Sequence, residues 1–214
     1  MAPQHDRDAP RSLPADAACG GPQCADGASF LGLRRVPDTD ADAELCFQLD
    51  SDPEVMRYIG PFRLPTVEAV RERMRTVWLP YYSAHPTLGF WAIIEKATEQ
   101  FAGWIFQRSA PDYRYAAEAG WTRSTDVEIG YRLRREVWKR GVATEAAGAL
   151  VRLVVADPGA TCVVAAALVT NRGSTRVMEK VGMSRVREFA LPAESGFTDP
   201  MVSYALCREG CSLA

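Results

Sequence analysis

The sequence predicts an α+β fold, a mixed sheet of about seven strands flanked by helices, and three observations point to it. Segments 88–95 and 100–107 are apolar runs separated by the short polar stretch Lys96-Ala97-Thr98-Glu99, the pattern of a hairpin. Residues 127–133 alternate with period two, and Val142, Ala146, Ala149, Leu150 and Leu153 then recur at helical spacing before a continuous apolar run at 161–168. Strand, helix and strand in that order form a βαβ unit, and its right-handed crossover makes the two strands parallel neighbours. Two more strand-like runs, 183–191 and 201–207, close the domain. A hairpin and a parallel unit together make the sheet mixed.

The elements follow in chain order. Residues 1–28 are rich in Pro, Ala, Asp and Gly with almost no apolar periodicity, so a flexible tail is expected there. The domain is expected to span 29–208, with 209–214 as a short C-terminal tail. Segment 30–36 reads as the first strand. Segment 41–58 is helical with a break at Asp52-Pro53, and 66–82 reads as a second helix capped by Thr66, with Val70, Met74, Val77 and Trp78 on its apolar face. A long connection, 109–126, joins the hairpin to the next strand. It carries Pro111, Tyr113, Tyr115 and Trp121 among Asp112, Glu118 and Asp126. Connections of that length are usually functional when ordered. Aromatics with carboxylates would suit a cationic amine.

Strand 127–133 places Val127, Ile129, Tyr131 and Leu133 on one face and Glu128, Gly130 and Arg132 on the other. Positive charge then accumulates at Arg134, Arg135, Lys139 and Arg140, just before Gly141, which permits a tight turn. The helix after it starts with N–H groups that have no internal partner and with the positive end of the helix dipole. Such a terminus suits a pyrophosphate. The chain contains neither a Walker loop nor a G-x-G-x-x-G turn after a strand, which argues against a P-loop or dinucleotide fold. The plain alternative is a basic loop before an ordinary surface helix. Asp157-Pro158-Gly159 stops the helix. Ala165, Ala166 and Ala167 in the following strand leave room beside it. Asn171 and Ser174 precede a short helix that Gly182 ends.

With these residues in place, the chain from about 29 to 208 resembles the GCN5-related N-acetyltransferase (GNAT) superfamily. Within it, the chain resembles the RimJ/RimL-type branch that acetylates ribosomal-protein alanine N-termini and diverse small amines. The resemblance rests on the Glu128-Ile129-Gly130-Tyr131 strand, on Trp138-Lys139-Arg140-Gly141-Val142-Ala143-Thr144-Glu145-Ala146, and on Asn171 and Ser174 before Glu179-Lys180-Val181-Gly182. It implies a mostly antiparallel sheet, splayed between its fourth and fifth strands, that takes acetyl-CoA as acyl donor without a metal. By the same resemblance, Tyr131, Arg132 and Leu133 would pair through their backbone with the pantetheine arm. Trp138, Lys139, Arg140, Gly141, Val142, Ala143 and Thr144 would hold the pyrophosphate, and Asn171 and Ser174 would lie near the thioester. Glu128 is the implied general base and Ser174 a second catalytic candidate. The plain alternatives are an ion pair of Glu128 with Arg132, a helix-capping role for Ser174, and a turn role for Asn171. Many relatives carry Tyr seven residues after the Asn to protonate the leaving thiolate, and here that position is Met178. Lys139-Arg140 stands where Gly-Lys is common.

Composition fits a compact enzyme. The 214 residues are 47% hydrophobic and 24% charged, with a net charge of −2, so bulk attraction to nucleic acid is not expected. No apolar run approaches the roughly 20 residues of a membrane span, and the start lacks a signal-peptide pattern. A cytoplasmic protein is expected, with acetyl-CoA and an amine acceptor as partners, no nucleic acid and no membrane; a homodimer is compatible with the sequence. Cys46 and Cys162 lie in apolar segments and read as buried small residues. Cys19, Cys24, Cys207 and Cys211 read as free thiols, a four-thiolate metal site being a loose fit to their spacing. The reading from a different functional class is a non-catalytic acyl-CoA sensor, which Met178 favours and Glu128 opposes.

Overall fold

The computed structural model describes residues 30–36, 39–60, 66–209 and 211. The N-terminal tail, Cys19 and Cys24, and most of the C-terminal tail lie outside these residues. Seven strands form one sheet: β1 (Leu31–Arg35), β2 (Gly89–Glu95), β3 (Gln100–Ser109), β4 (Val127–Leu133), β5 (Cys162–Leu168), β6 (Ser184–Phe189) and β7 (Met201–Cys207). Their spatial order is β1-β2-β3-β4-β5-β7-β6. Every pairing is antiparallel except β4 with β5. That one parallel junction is short. Only Val127↔Val163 and Glu128↔Val164 are in register, and beyond Glu128 the two strands separate. The expected α+β sheet and its splay are both present.

Helices cover the two faces. On one side α6 (Val142–Ala156) and α7 (Arg172–Lys180) pack over Ile93, Ile105, Ile129 and Val163, with Leu150 at the centre. On the other side lie α1 (Asp40–Ser51), α2 (Pro53–Met56) and α3 (Val67–Arg73), where Ala43, Cys46, Leu49, Val70 and Met74 meet Ala92 and Trp104. Asp52 breaks α1 from α2 by capping the latter, its side chain accepting from the Glu54 N–H at 2.9 Å, with Pro53 at the first helical position. Thr66 caps α3 as expected, accepting from Ala69 N–H at 3.2 Å. The expected single helix over 66–82 is instead three pieces. A wide π turn, Met74–Trp78, separates α3 from α4 (Leu79–Ala84). Leu79 N–H reaches back to Met74 O, and Pro80, with no N–H to give, follows it. The turn leaves Trp78 stacked on Phe90 at 4.4 Å.

Connection 109–126 is built into the fold. It holds a 3-10 turn, Ala110–Asp112, and a short helix α5 (Ala116–Ala119). Ala110 N–H donates to Asp126 O at 2.8 Å, closing its base. Trp121 is only 1% exposed and belongs to a third apolar cluster with Cys162, Val164, Phe189 and Met201. The connection is thus part of the core beneath β5 and β7.

The cysteine expectation needs correcting. Cys162 and Cys207 are disulfide-bonded. They sit directly opposite each other in the β5–β7 ladder, on one face of the sheet, which the spacing of cysteines along the chain does not reveal. Cys207 is therefore withdrawn from any thiolate metal set, and among the described residues no cluster of three or more metal-binding side chains occurs. Cys46 is buried as expected; burial, then Asp50 and Asp42, push its thiol up to about 12. Cys211 is a free, exposed thiol. No helix among the described residues is long and apolar enough to cross a membrane.

Candidate active site

The site begins where β4 and β5 part. Beyond Glu128 no strand among the described residues pairs the β5-facing edge of β4, so the backbone of Tyr131, Arg132 and Leu133 borders an open slot with Ala165, Ala166 and Ala167 opposite. An exposed strand edge is a template for an extended ligand with its own amides.

Past the C-terminal end of β4 stands the N-terminus of α6. Gly141 is its cap residue, with φ +87° and no side chain bonded to the first-turn amides. The N–H groups of Val142, Ala143 and Thr144 thus lack a side-chain cap, as a phosphate cradle requires. Lys139 also has positive φ, +62°. It holds the left-handed conformation that glycine adopts more readily, at a cost of roughly 1 kcal/mol. Both flanks are anchored. Trp138 Nε1 donates to Leu133 O at 2.9 Å, and Arg140 pairs with Glu95 at 2.6 Å. Trp138, 40% exposed, is tied to the end of β4 by that hydrogen bond. The basic run is also less available than the sequence suggests: Arg134 pairs with Glu136 and Arg135 with Asp52, while Lys139 has no carboxylate partner among the described residues. A methyl group added at Gly141 would meet nothing within 4 Å, so the cost of Gly141→Ala is backbone strain alone. It is expected to lower unfolding free energy by about 1 kcal/mol in urea denaturation; an unchanged value would mean that the loop forms without a left-handed turn.

Past the C-terminal end of β5, Asn171 caps α7, its Oδ1 accepting from the Ser174 N–H at 3.1 Å. The capping role belongs to Asn171, and Ser174 lies inside the first turn. Burial pushes the Tyr131 phenol up, and the Ser174 side chain opposes this. Met178, one turn further on, is buried in the core.

The other face of β4 carries the charged groups. Arg108 on β3 lies directly opposite Glu128, and its Nε donates to Glu128 Oε2. Arg132 instead pairs with Asp50 of α1 and stacks over Trp104, 4.8 Å from the ring centre, so the Glu128–Arg132 pair that the sequence allows does not form. The Arg108 guanidinium also covers the rings of Phe106 and Tyr113. Glu128 is buried, and burial pushes its carboxyl up while Arg108 opposes this. Tyr81, pushed up to about 12 by burial, accepts from Ser109 N–H at 2.8 Å and donates to Asp112 at 3.1 Å. The carboxylates of Asp112 and Asp126 are thus matched, the latter by Arg123. Sequence reasoning missed Arg108, Asp50 and Tyr81. Each acts through a partner on another element, and only the register of β3 against β4 could have pointed to Arg108.

Comparison with known proteins agrees with this geometry. Residues 31–184 match the family model described as acetyltransferase (GNAT) domain. The chain is 27% identical over 180 residues to the FsC-acetyl coenzyme A-N(2)-transacetylase of Aspergillus fumigatus, covering 83% of this chain and 74% of that protein. Its fold is similar to that of a GNAT-family acetyltransferase from Bacillus anthracis, with a TM-score of 0.67 and 23% identity, over 84% of this chain and 96% of that one. It is similar also to the aminoglycoside acetyltransferase AAC(6')-Ib in complex with coenzyme A, with a TM-score of 0.63 and 20% identity, over 84% and 95%. The chain belongs to the GNAT acetyltransferase family and is an acetyl-CoA-dependent N-acetyltransferase.

Proposed function

We propose that the slot between β4 and β5 takes the pantetheine arm of acetyl-CoA, with the amides of Val142, Ala143 and Thr144 on the pyrophosphate and Lys139 as the cation beside it. The unpaired edge of β4 ending at an uncapped helix terminus carries this reading. The acceptor is a primary amine, on a protein N-terminus or a small molecule, and the motif pattern favours the ribosomal-protein-type branch. It approaches from the face of α1 and α3, where Glu128 takes the proton that the amine loses as nitrogen bonds to the acyl carbon. A β4 amide near Tyr131 steadies the oxygen.

The acceptor face holds more guanidinium than unmatched carboxylate. Burial pulls Arg73 down, the positive charges of Arg132, Arg108 and Arg114 add to this, and Asp50 opposes it. No carboxylate among the described residues pairs with Arg73 within ion-pairing distance. This favours an amine whose carrier is itself anionic over the cationic amine suggested by the aromatics and acids of 109–126.

Calorimetry with acetyl-CoA, using desulfo-CoA and ATP as controls, tests the donor. A thiol-release assay comparing α-amino acids or acidic peptides with their amides tests the acceptor. Selective micromolar binding of acetyl-CoA and faster turnover of the anionic amines are expected. Absence of acetyl-CoA binding would sink the slot assignment, and faster turnover of the amides would sink the acceptor assignment.

A further inference from the structure

We propose that Phe106 sets acceptor specificity: its ring, seated against the bare backbone of Gly130 beside Glu128, admits an amine whose α-carbon carries no side chain or a methyl and rejects one with a branched side chain. The inference rests on the reading that an amine on an anionic carrier reaches Glu128 from the face of α1 and α3.

Gly130 is the starting point. A glycine inside a strand weakens it, and it marks a bulge, a bend or a close approach. No bulge is present, because the β3–β4 register runs unbroken from Gly103↔Leu133 to Ser109↔Val127. Nor does the backbone require glycine, since Gly130 is not among the glycines with positive φ. Close approach is what remains. A methyl group built on Gly130 would stand 2.6 Å from both Cε1 and Cζ of Phe106, well inside van der Waals contact. Phe106 lies directly opposite Gly130 in the ladder, and its ring fills the place of the missing side chain.

The neighbours give this place its meaning. Glu128 and Arg132 flank Gly130 on the same face of β4, and Trp104 and Arg108 flank Phe106 on β3. Glu128 and Trp104 are buried, whereas Phe106, Arg108, Gly130 and Arg132 are only half-buried. The least covered part of the face therefore abuts the base, and an amine that reaches Glu128 passes over the Phe106 ring. That ring is braced. Its centre is 4.8 Å from the Arg108 guanidinium, 5.9 Å from the Trp104 ring and 5.7 Å from Phe90, which is itself stacked on Trp78. Arg108 is held in turn by Glu128. It already supplies a cation to the ring, so what the ring offers an acceptor is apolar surface. A fixed apolar wall discriminates by volume, and one methylene in such a pocket is worth roughly 10- to 200-fold in kcat/KM.

Phe106→Ala, Gly130→Ala and the double variant test this in the full chain. The acceptors are glycine, alanine and valine, free and as the first residue of an aspartyl dipeptide. In the wild type, kcat/KM should fall by about 10-fold or more from alanine to valine. In Phe106→Ala the two should differ by less than about threefold. Gly130→Ala, which drives the ring off its seat, should lower kcat/KM for every acceptor by about 10-fold or more, and the double variant should recover to the level of Phe106→Ala because the clash is gone. Calorimetric affinity for acetyl-CoA should stay within about threefold throughout. Equal losses across the series in Phe106→Ala, no recovery in the double variant, or acetyl-CoA affinity falling as far as kcat/KM would each overturn the inference. A wild type that binds acetyl-CoA but uses these amines without regard to size, or uses none of them, would overturn it and leave the slot assignment standing. One that binds no acetyl-CoA would overturn the slot assignment and this inference with it. Should Gly130→Ala fold poorly, Phe106→Leu replaces it: an intermediate ratio of alanine to valine is expected, and an unchanged ratio rejects the ring as the wall.

Discussion

Glu128→Gln is expected to lower kcat/KM by about 10²-fold or more while acetyl-CoA binds as before. The substitution is chosen for what it keeps. Glutamine has the size of glutamate, and its amide oxygen can still accept from Arg108 Nε, the bond that holds Glu128 in place. Alanine would leave the Arg108 guanidinium buried beside a void, and a lost rate would then say nothing about proton transfer. What glutamine removes is the ability to take a proton from the amine. The pH dependence supplies a second reading. Burial raises the Glu128 carboxyl above its ordinary range, Arg108 opposes this, and Asp112 adds to it. The acidic limb of kcat/KM should therefore fall at higher pH than an ordinary glutamate would give. Stability moves the other way. A carboxyl whose folded pKa is raised favours the fold in its protonated form, so its contribution is largest below its unfolded pKa and is lost as pH rises through its folded one. Protonation of Glu128 in acid should thus switch off turnover without itself weakening the fold. A full rate in Glu128→Gln would move the proton transfer to another group.

The parts of this site that were legible in the sequence are those encoded locally. The alternation of 127–133 put Glu128 and Tyr131 on opposite faces of one strand, and the structure keeps them there. Gly141 before a helical apolar pattern located the uncapped terminus, and strand-helix-strand order placed β4 beside β5. The parts that were not legible depend on register between distant segments. Arg108 faces Glu128 because β3 pairs β4 with one particular offset; a shift of one residue would turn Arg108 to the opposite face. Arg132 meets Asp50 because α1 packs over that face of β4, and neither residue's neighbours in sequence announce it. The helix over 66–82 misled for a related reason. Its apolar spacing is helical throughout, but Pro80 cannot supply the next hydrogen bond, and the chain widens by one residue before it.

Reduction of the Cys162–Cys207 disulfide is expected to produce the largest loss of stability of any single change here. The bond closes a chain segment of 45 residues, and loop-closure entropy assigns such a cross-link about 4 kcal/mol. For a domain of this size that corresponds to a Tm lower by roughly 8–16 °C. The effect acts mainly on the unfolded chain. In the fold, β5 and β7 are already paired from Cys162↔Cys207 to Leu168↔Met201, and Arg208 N–H continues the ladder to Thr161 O at 3.1 Å. Native geometry should therefore survive reduction, including the pairing of Val163 and Val164 with Val127 and Glu128 that fixes where the slot opens. Calorimetric melting with and without reductant measures the effect, and a Cys162→Ala/Cys207→Ala variant controls for it. The wild type should melt lower in reductant, the variant should melt low in both conditions, and turnover of the reduced enzyme at 25 °C should persist. An unchanged Tm on reduction would mean that the β5–β7 ladder alone sets the stability. Lost turnover at 25 °C with the fold intact would mean that the bond holds the opening between β4 and β5, and so belongs to the site as well as to the scaffold.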